Sequence, residues 1–285
     1  MASLTGVRPQ PKLGHKQHSG EGALGTAQAQ GALWGARARE WADLQEVAFE
    51  PLYRQALEAA EVRDGNSVLD VGCGAGLAVA VAREMGAKVA GLDAAADLIG
   101  IARSRTPEAD LRVGELEELP FADGAFDVVT GFNSFQYAAD RVNALREARR
   151  VMQPGGRLVA AVWGEPEQCQ MSGYLKALGS LMPPPPPGAP GPWALSPPGA
   201  LEDLASQADL QAVSSGVATC VFRFGDDGSA VRGLLAAGPA VRAVQTSGEA
   251  PVANAILEAI GPFRTDDGGY ELSNAFRYIV ARRTN

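Results

Sequence analysis

Between residues 32 and 62 apolar positions recur at steps of three and four, through Trp34, Trp41, Leu44, Phe49, Leu52, Tyr53, Ala56 and Leu57. That period belongs to amphipathic helices, and Pro51, whose ring suits a first helical turn, marks the start of a second one. From Val68 the pattern changes to short apolar runs separated by amphipathic stretches. The runs at 68–71, 89–92, 111–113, 126–132 and 158–163 predict strands, and 77–85, 95–103 and 140–152 predict the helices between them. Such alternation predicts βαβ units, hence a parallel sheet covered on both faces. Pro154-Gly155-Gly156 reads as the stop of the third helix. Beyond Trp163 the regularity weakens. Helical pieces are predicted at 168–182, 201–208, 229–238 and 251–260, and strands at 217–224 and 271–281. The proline-rich stretch before Trp193 reads as a stiff loop inside the domain. Residues 1–30 are rich in Gly, Gln, Ala and Ser without an apolar period, which predicts a disordered leader.

Composition narrows the partners. Hydrophobic residues make up 46% of the 285-residue chain and charged ones 20%, enough apolar material for a core and against a fibrous or wholly disordered protein. The net charge of −8 argues against a nucleic-acid partner. The densest basic cluster, Arg146, Arg149 and Arg150, has the spacing of a solvated helix face. No apolar run approaches the ~20 residues of a membrane span. Cys73, Cys169 and Cys220 form no CxxC pair, which points to a reducing, cytoplasmic setting. The only histidines, His15 and His18, lie in the leader, so neither a His base in the core nor a His/Cys zinc site is expected.

The informative segment is Val68-Leu69-Asp70-Val71-Gly72-Cys73-Gly74-Ala75-Gly76-Leu77, a strand that passes through three alternate glycines into a helix. Glycine there permits unusual backbone angles and lets a ligand approach without a Cβ in the way. The dinucleotide fingerprint needs a small residue at its sixth position, where Leu77 or Val79 stands, so a cofactor without a pyrophosphate fits better. Asp93 ends the next strand, placed either to accept from both hydroxyls of a ribose or to cap the following helix. After strand three, Gly114-Glu115-Leu116-Glu117-Glu118-Leu119-Pro120-Phe121 is either a solvated acidic loop or one lying over the same crevice. In the crevice, Glu115 would accept from an exocyclic adenine amine and the Leu116 N–H would bond a ring nitrogen.

Together with Phe126-Asp127-Val128-Val129 and Arg149-Arg150-Val151-Met152-Gln153-Pro154-Gly155-Gly156, these motifs resemble class I S-adenosylmethionine-dependent methyltransferases, closest to the ubiquinone- and menaquinone-biosynthesis-like small-molecule enzymes. The resemblance covers about residues 60–164. It implies an α/β, Rossmann-like doubly wound sheet of seven strands, the last antiparallel, with helical cap insertions. With the residue pattern it divides the chain into N-terminal lid helices (31–62), a cofactor-binding core (63–164), cap insertions (165–213 and 227–265), which no family motif fixes, and a last strand at 271–281. S-adenosylmethionine is the implied cofactor and S-adenosylhomocysteine its product. Asp70, Gly72, Cys73, Gly74, Gly76, Asp93, Ala94, Glu115, Leu116, Glu117, Asn133 and Ser134 are the implied cofactor residues. Glu115-Leu116 stand where the family usually has Asp-Ala, which keeps the acceptor and lengthens its reach.

The acceptor side is less constrained. Strand four runs into Thr130-Gly131-Phe132-Asn133-Ser134-Phe135-Gln136-Tyr137 without an acid, which argues against a magnesium-dependent, catechol-type site, and no metal is expected. Asn133 is assigned to the methionyl part of the cofactor, with a turn cap as its other reading. Phe132, Phe135 and Tyr137 are expected to line the methyl-transfer chamber, with a plain core role for at least two of the three as the other reading, and Tyr137 is the candidate for orienting or deprotonating the acceptor. Trp34, Trp41 and Tyr53, on the lid helices, with Trp163 and Trp193 complete the expected lid and acceptor pocket, although an ordinary packing stripe also explains the first three. The function expected is methylation of a small, apolar or aromatic molecule. Its rivals are non-methylating chemistry on the same cofactor, or a non-catalytic cofactor-binding accessory protein.

Overall fold

A computed structural model of the chain describes residues 25–184, 186 and 190–283. Most of the leader, with both histidines, lies outside the described residues.

The N-terminal segment is helical, but not one regular stripe. Helix α1 (Ala27–Gly35) and the short α2 (Ala38–Glu40) lead into a π-helical turn at Trp41–Gln45, a 3-10 turn at Glu46–Phe49, and then α3 (Glu50–Ala59) with Pro51 in its first turn. The widened turn brings Gln45 and Glu46 inward, where both are buried. The expected leader boundary at residue 30 is therefore too late. Thr26 Oγ1 donates to the Tyr137 carbonyl at 2.9 Å, and the Ala27 N–H donates to Glu115 Oε2 at 2.8 Å.

The core follows the predicted alternation: β1 (Ser67–Val71), α4 (Leu77–Glu84), β2 (Lys88–Asp93), α5 (Ala96–Arg105), β3 (Asp110–Val113), β4 (Phe126–Phe132), α6 (Arg141–Val151) and β5 (Met152–Trp163). Then come α7 (Ser172–Ser180), α8 (Ala200–Gln207), β6 (Leu210–Phe224), α9 (Asp227–Leu235), α10 (Gly238–Ser247), α11 (Glu249–Ile260) and β7 (Tyr270–Arg283). The strand order is β3-β2-β1-β4-β5-β7-β6, and β7 runs antiparallel to both neighbours. This is the expected seven-stranded, doubly wound sheet. Two-residue alternation sends Val68, Val128 and Val159 to a core under α3, α4 and α9–α11, and Leu69, Val129 and Leu158 to one under α6 and α8.

Three readings are corrected. Gly238-Pro239, taken as the end of a helix, opens α10, because proline lacks only a hydrogen bond that a first turn never makes. Strand β6 begins at Leu210, so residues 210–213 belong to the sheet and not to a cap. Helix α8 packs Leu201, Leu204 and Ala205 onto the sheet itself.

Candidate functional site

Strands β1 and β4 pair at the centre of the sheet, and the chain leaves them toward opposite edges. Their carboxyl ends thus form the switch point where open α/β sheets bind ligands. A cleft of about 680 Å³, counting the part open to solvent, lies there.

The glycine turn makes one wall. Gly72 sits at φ +78°, and a Cβ built on it would overlap that of Ser134, so only glycine lets β1 and the end of β4 come this close. Gly74 also lines the cleft. Gly76 does not: it precedes α4 at φ +83°, and its missing Cβ would stand 2.8 Å from that of Ala102. It therefore lets α4 approach α5. Asp93 lies between the glycine turn and the start of α5. Its Oδ2 accepts from the Gly74 N–H at 2.9 Å and its Oδ1 from the Ala95 N–H at 2.8 Å just before α5, while it still lines the cleft. Burial pushes its carboxyl above the usual range against these hydrogen bonds. Ala94 and Leu116 continue the wall, and Asn133, held at φ +54°, closes it with Ser134.

Aromatic rings form the opposite side. Tyr137 meets Trp34 at 5.7 Å, Trp34 meets Trp41 at 4.9 Å, Trp41 meets Phe49 at 6.0 Å, and Tyr53 meets Phe49 at 6.2 Å and Phe132 at 4.7 Å. All six line the cleft, so the N-terminal helices are brought over it. Helix α10 supports them from behind, with Gly238 against the Trp34 indole. Asp93 is the single charged side chain among the described lining residues. Burial pushes the Tyr137 hydroxyl above its usual range while a hydrogen bond with Gln136 pulls the other way, so it is a donor at neutral pH.

Several expected site residues do not line the cleft. Asp70 is buried behind the turn, accepting from Thr130 Oγ1 at 2.6 Å, because the even positions of β1 point into the sheet face. Cys73 turns into a small core with Val79, Ile99 and Leu111. Glu117 accepts from the Ala139 and Asp140 N–H groups, holding the approach to α6. Phe135 is pressed against Gly131 in the core on the far face. Trp163 packs on Phe276 at 4.4 Å, with Trp193 on its other side at 5.9 Å, beyond the cleft. Nor does any described residue of the expected cap insertions line it. Glu115 borders an adjoining recess, with Oε2 taking the Ala27 N–H and Oε1 the Glu117 N–H.

Sequence reasoning missed Gln30, Phe49 and Leu98 in the lining, and Glu46 just behind it. Glu46 pairs with Arg105 at 2.5 Å, and Arg105 also donates to the Ala75 carbonyl at 2.8 Å, tying the N-terminal segment to the glycine turn. An acid inside an apolar helical stripe was the available signal.

The residues present suit an adenosyl amino acid. The cradle is a glycine turn that a Cβ would fill, and Trp41 Nε1, Asn133 Oδ1 and Ser134 Oγ are buried around it without hydrogen-bond partners. Residues 69–160 match the family described as methyltransferase domain. Over those residues the chain has a methyltransferase domain of the class I, S-adenosylmethionine-dependent kind. The cofactor of that domain is S-adenosylmethionine. A demethylmenaquinone methyltransferase from Beutenbergia cavernae is 34% identical over 125 residues, 44% of this chain and 52% of that one. The chain thus spans about half the length of that curated relative. A SAM-dependent methyltransferase from Aquifex aeolicus shares the fold at a TM-score of 0.52 and 13% identity, covering 88% of this chain and 98% of that one. So does the [4+2]-cyclase SpnF, at 0.51 and 20% identity, covering 81% and 79%, so this fold also houses an enzyme named for a cyclisation. Among the described residues no helix is long and apolar enough to cross a membrane.

Helix α1 bears on binding. A chain lacking residues 1–35 loses α1, the Trp34 ring and both contacts to Tyr137 and Glu115. It should bind S-adenosylhomocysteine roughly tenfold or more weakly than a chain lacking residues 1–24, because the cleft loses the apolar Trp34 face, whose burial is worth about 1.5–3 kcal/mol. Equal dissociation constants by calorimetry would reduce α1 to packing.

Proposed function

We propose that the protein transfers a methyl group from S-adenosylmethionine to a small, apolar or aromatic acceptor, in line and without a metal. The observation that carries this reading is the arc of six aromatic rings facing the glycine turn, with Asp93 as the one charged side chain among the described lining residues. Such a wall desolvates an apolar acceptor, and its ring faces favour a cation. When bound, the cofactor supplies a methyl group on a sulfonium, whose C–S electron pair returns to sulfur as the acceptor's lone pair bonds the methyl carbon. Gly72, Gly74, Asp93, Ala94, Leu116, Asn133 and Ser134 would hold it. The lid rings exclude water and fix the reactants, and alignment of this kind accounts for about 7–11 kcal/mol in favourable cases. Tyr137, protonated at neutral pH, orients the acceptor by donating a hydrogen bond, and the acceptor's proton leaves to solvent.

The test is S-adenosylhomocysteine release from a panel of phenols, quinols and amines, with and without EDTA. Release unaffected by EDTA, and slowed in Tyr137→Phe at unchanged cofactor affinity, is the expected result. Cofactor binding with no release from any acceptor would favour a non-methylating or accessory role, and loss with EDTA restored by magnesium would overturn metal independence.

A further inference from the structure

Three polar side-chain atoms beside the glycine turn are buried and make no hydrogen bond within the described chain: Trp41 Nε1, Asn133 Oδ1 and Ser134 Oγ. Native proteins satisfy nearly all such groups, and a set of orphans sharing one cleft marks where a ligand completes them. All three residues line one cleft with Gly72 and Gly74. Ser134 touches the bare Cα of Gly72 from one side, and Trp41 Nε1 lies 3.4 Å from where a Gly74 Cβ would be. Their chemistry differs. An indole N–H only donates, an amide oxygen only accepts, and a hydroxyl does either. A group that needs a donor and an acceptor side by side, next to the nucleoside positions at Asp93 and Leu116, is the α-amino acid tail of an adenosyl amino acid: a carboxylate for the N–H and an ammonium for the carbonyl oxygen.

Trp41 is held for this task. Its ring is wedged between Trp34, at 4.9 Å, and Phe49, at 6.0 Å, on the widened turn that replaces regular helix at this point. Glu46 also approaches, its Oε1 3.2 Å from the same Gly74 position, but Arg105 neutralises it at 2.5 Å, so the pair sets no net negative charge against a carboxylate. We propose that the Trp41 indole N–H binds the carboxylate of the cofactor's amino-acid tail, which makes the N-terminal segment a selector for that tail and not only a cover. The proposal rests on cofactor binding in this cleft.

Binding of two ligands tests it by calorimetry without turnover. S-adenosylhomocysteine carries the tail; 5′-methylthioadenosine has the same nucleoside and a thioether but no tail. Replacing Trp41 by β-(3-benzothienyl)alanine keeps the bicyclic ring and puts sulfur where the N–H stood, so packing survives; Trp41→Phe is the coarser variant. The isosteric replacement should weaken S-adenosylhomocysteine binding about tenfold or more, one charge-assisted hydrogen bond, and leave 5′-methylthioadenosine within roughly twofold. Equal losses for the two ligands, or no loss for either, would overturn the selector role. Wild-type protein that binds neither ligand would instead defeat the cofactor reading beneath it.

Discussion

Stability should fall by about 2–3 kcal/mol between pH 5 and pH 8 on account of one side chain, the buried Asp70. Burial pushes its carboxyl up to about 7, the Asp93 and Glu46 carboxylates push the same way, and the Thr130 hydroxyl opposes them. An unfolded aspartate ionises near 3.8. The folded state therefore holds the proton longer than the unfolded one. Its contribution to stability is fully present below about pH 4 and is lost as pH rises through about 7. Asp70→Asn removes the titration but leaves an amide group without an acceptor, which costs about 1–3 kcal/mol. The variant should then be the less stable protein at pH 5 and come level with or overtake the wild type by pH 8. Urea unfolding at both pH values reads this directly. Parallel shifts of the two proteins with pH would show that Asp70 is ionised throughout.

Asp70 also shows where the sequence was legible and where it was not. The Asp-x-Gly-x-Gly spacing, the apolar runs and the acid ending strand two are local facts, and β1, β2, the glycine turn and Asp93 stand where they point. Which face a residue takes is settled by the pleat, and at position 70 the pleat turns the carboxyl into the sheet face, not toward the ligand. The same holds for Cys73, whose side chain is directed away from the cleft that its neighbours Gly72 and Gly74 line.

The aromatic residues divide in a similar way. Trp34, Trp41 and Tyr53 reach the cleft because their whole segment lies over it, while Trp163 and Trp193, equally conspicuous in sequence, pair with each other in the packing beyond it. Aromatic identity carries no direction. Contacts that depend on meeting a distant segment, such as Glu46 with Arg105 or Ala27 with Glu115, have no periodic signature at all.

Gly72→Ala should be the most damaging single methyl group added to the glycine turn. Two costs meet there. A non-glycine residue at φ +78° carries roughly 1–2 kcal/mol of backbone strain, and the new Cβ overlaps that of Ser134, a rigid atom close to the backbone, which adds about 1–3 kcal/mol of overpacking. Gly155 separates the two: it has nearly the same angle, φ +76°, with nothing near its ideal Cβ, so Gly155→Ala should show the strain alone. The overlap itself can be relieved by Ser134→Gly, which removes the opposing carbon. In a double-mutant cycle the pair should therefore be coupled by about 1–2 kcal/mol in the favourable direction, the double variant remaining below wild type by the strain that is left. Denaturant unfolding of the four Gly72/Ser134 combinations measures the coupling, and strict additivity would mean that the turn moves aside and that the close approach of β1 and β4 is not fixed by this contact. Because Gly72 also lines the cleft, the Ala variant should lose affinity for S-adenosylhomocysteine even where it stays folded, whereas Gly155→Ala, outside the cleft, should not.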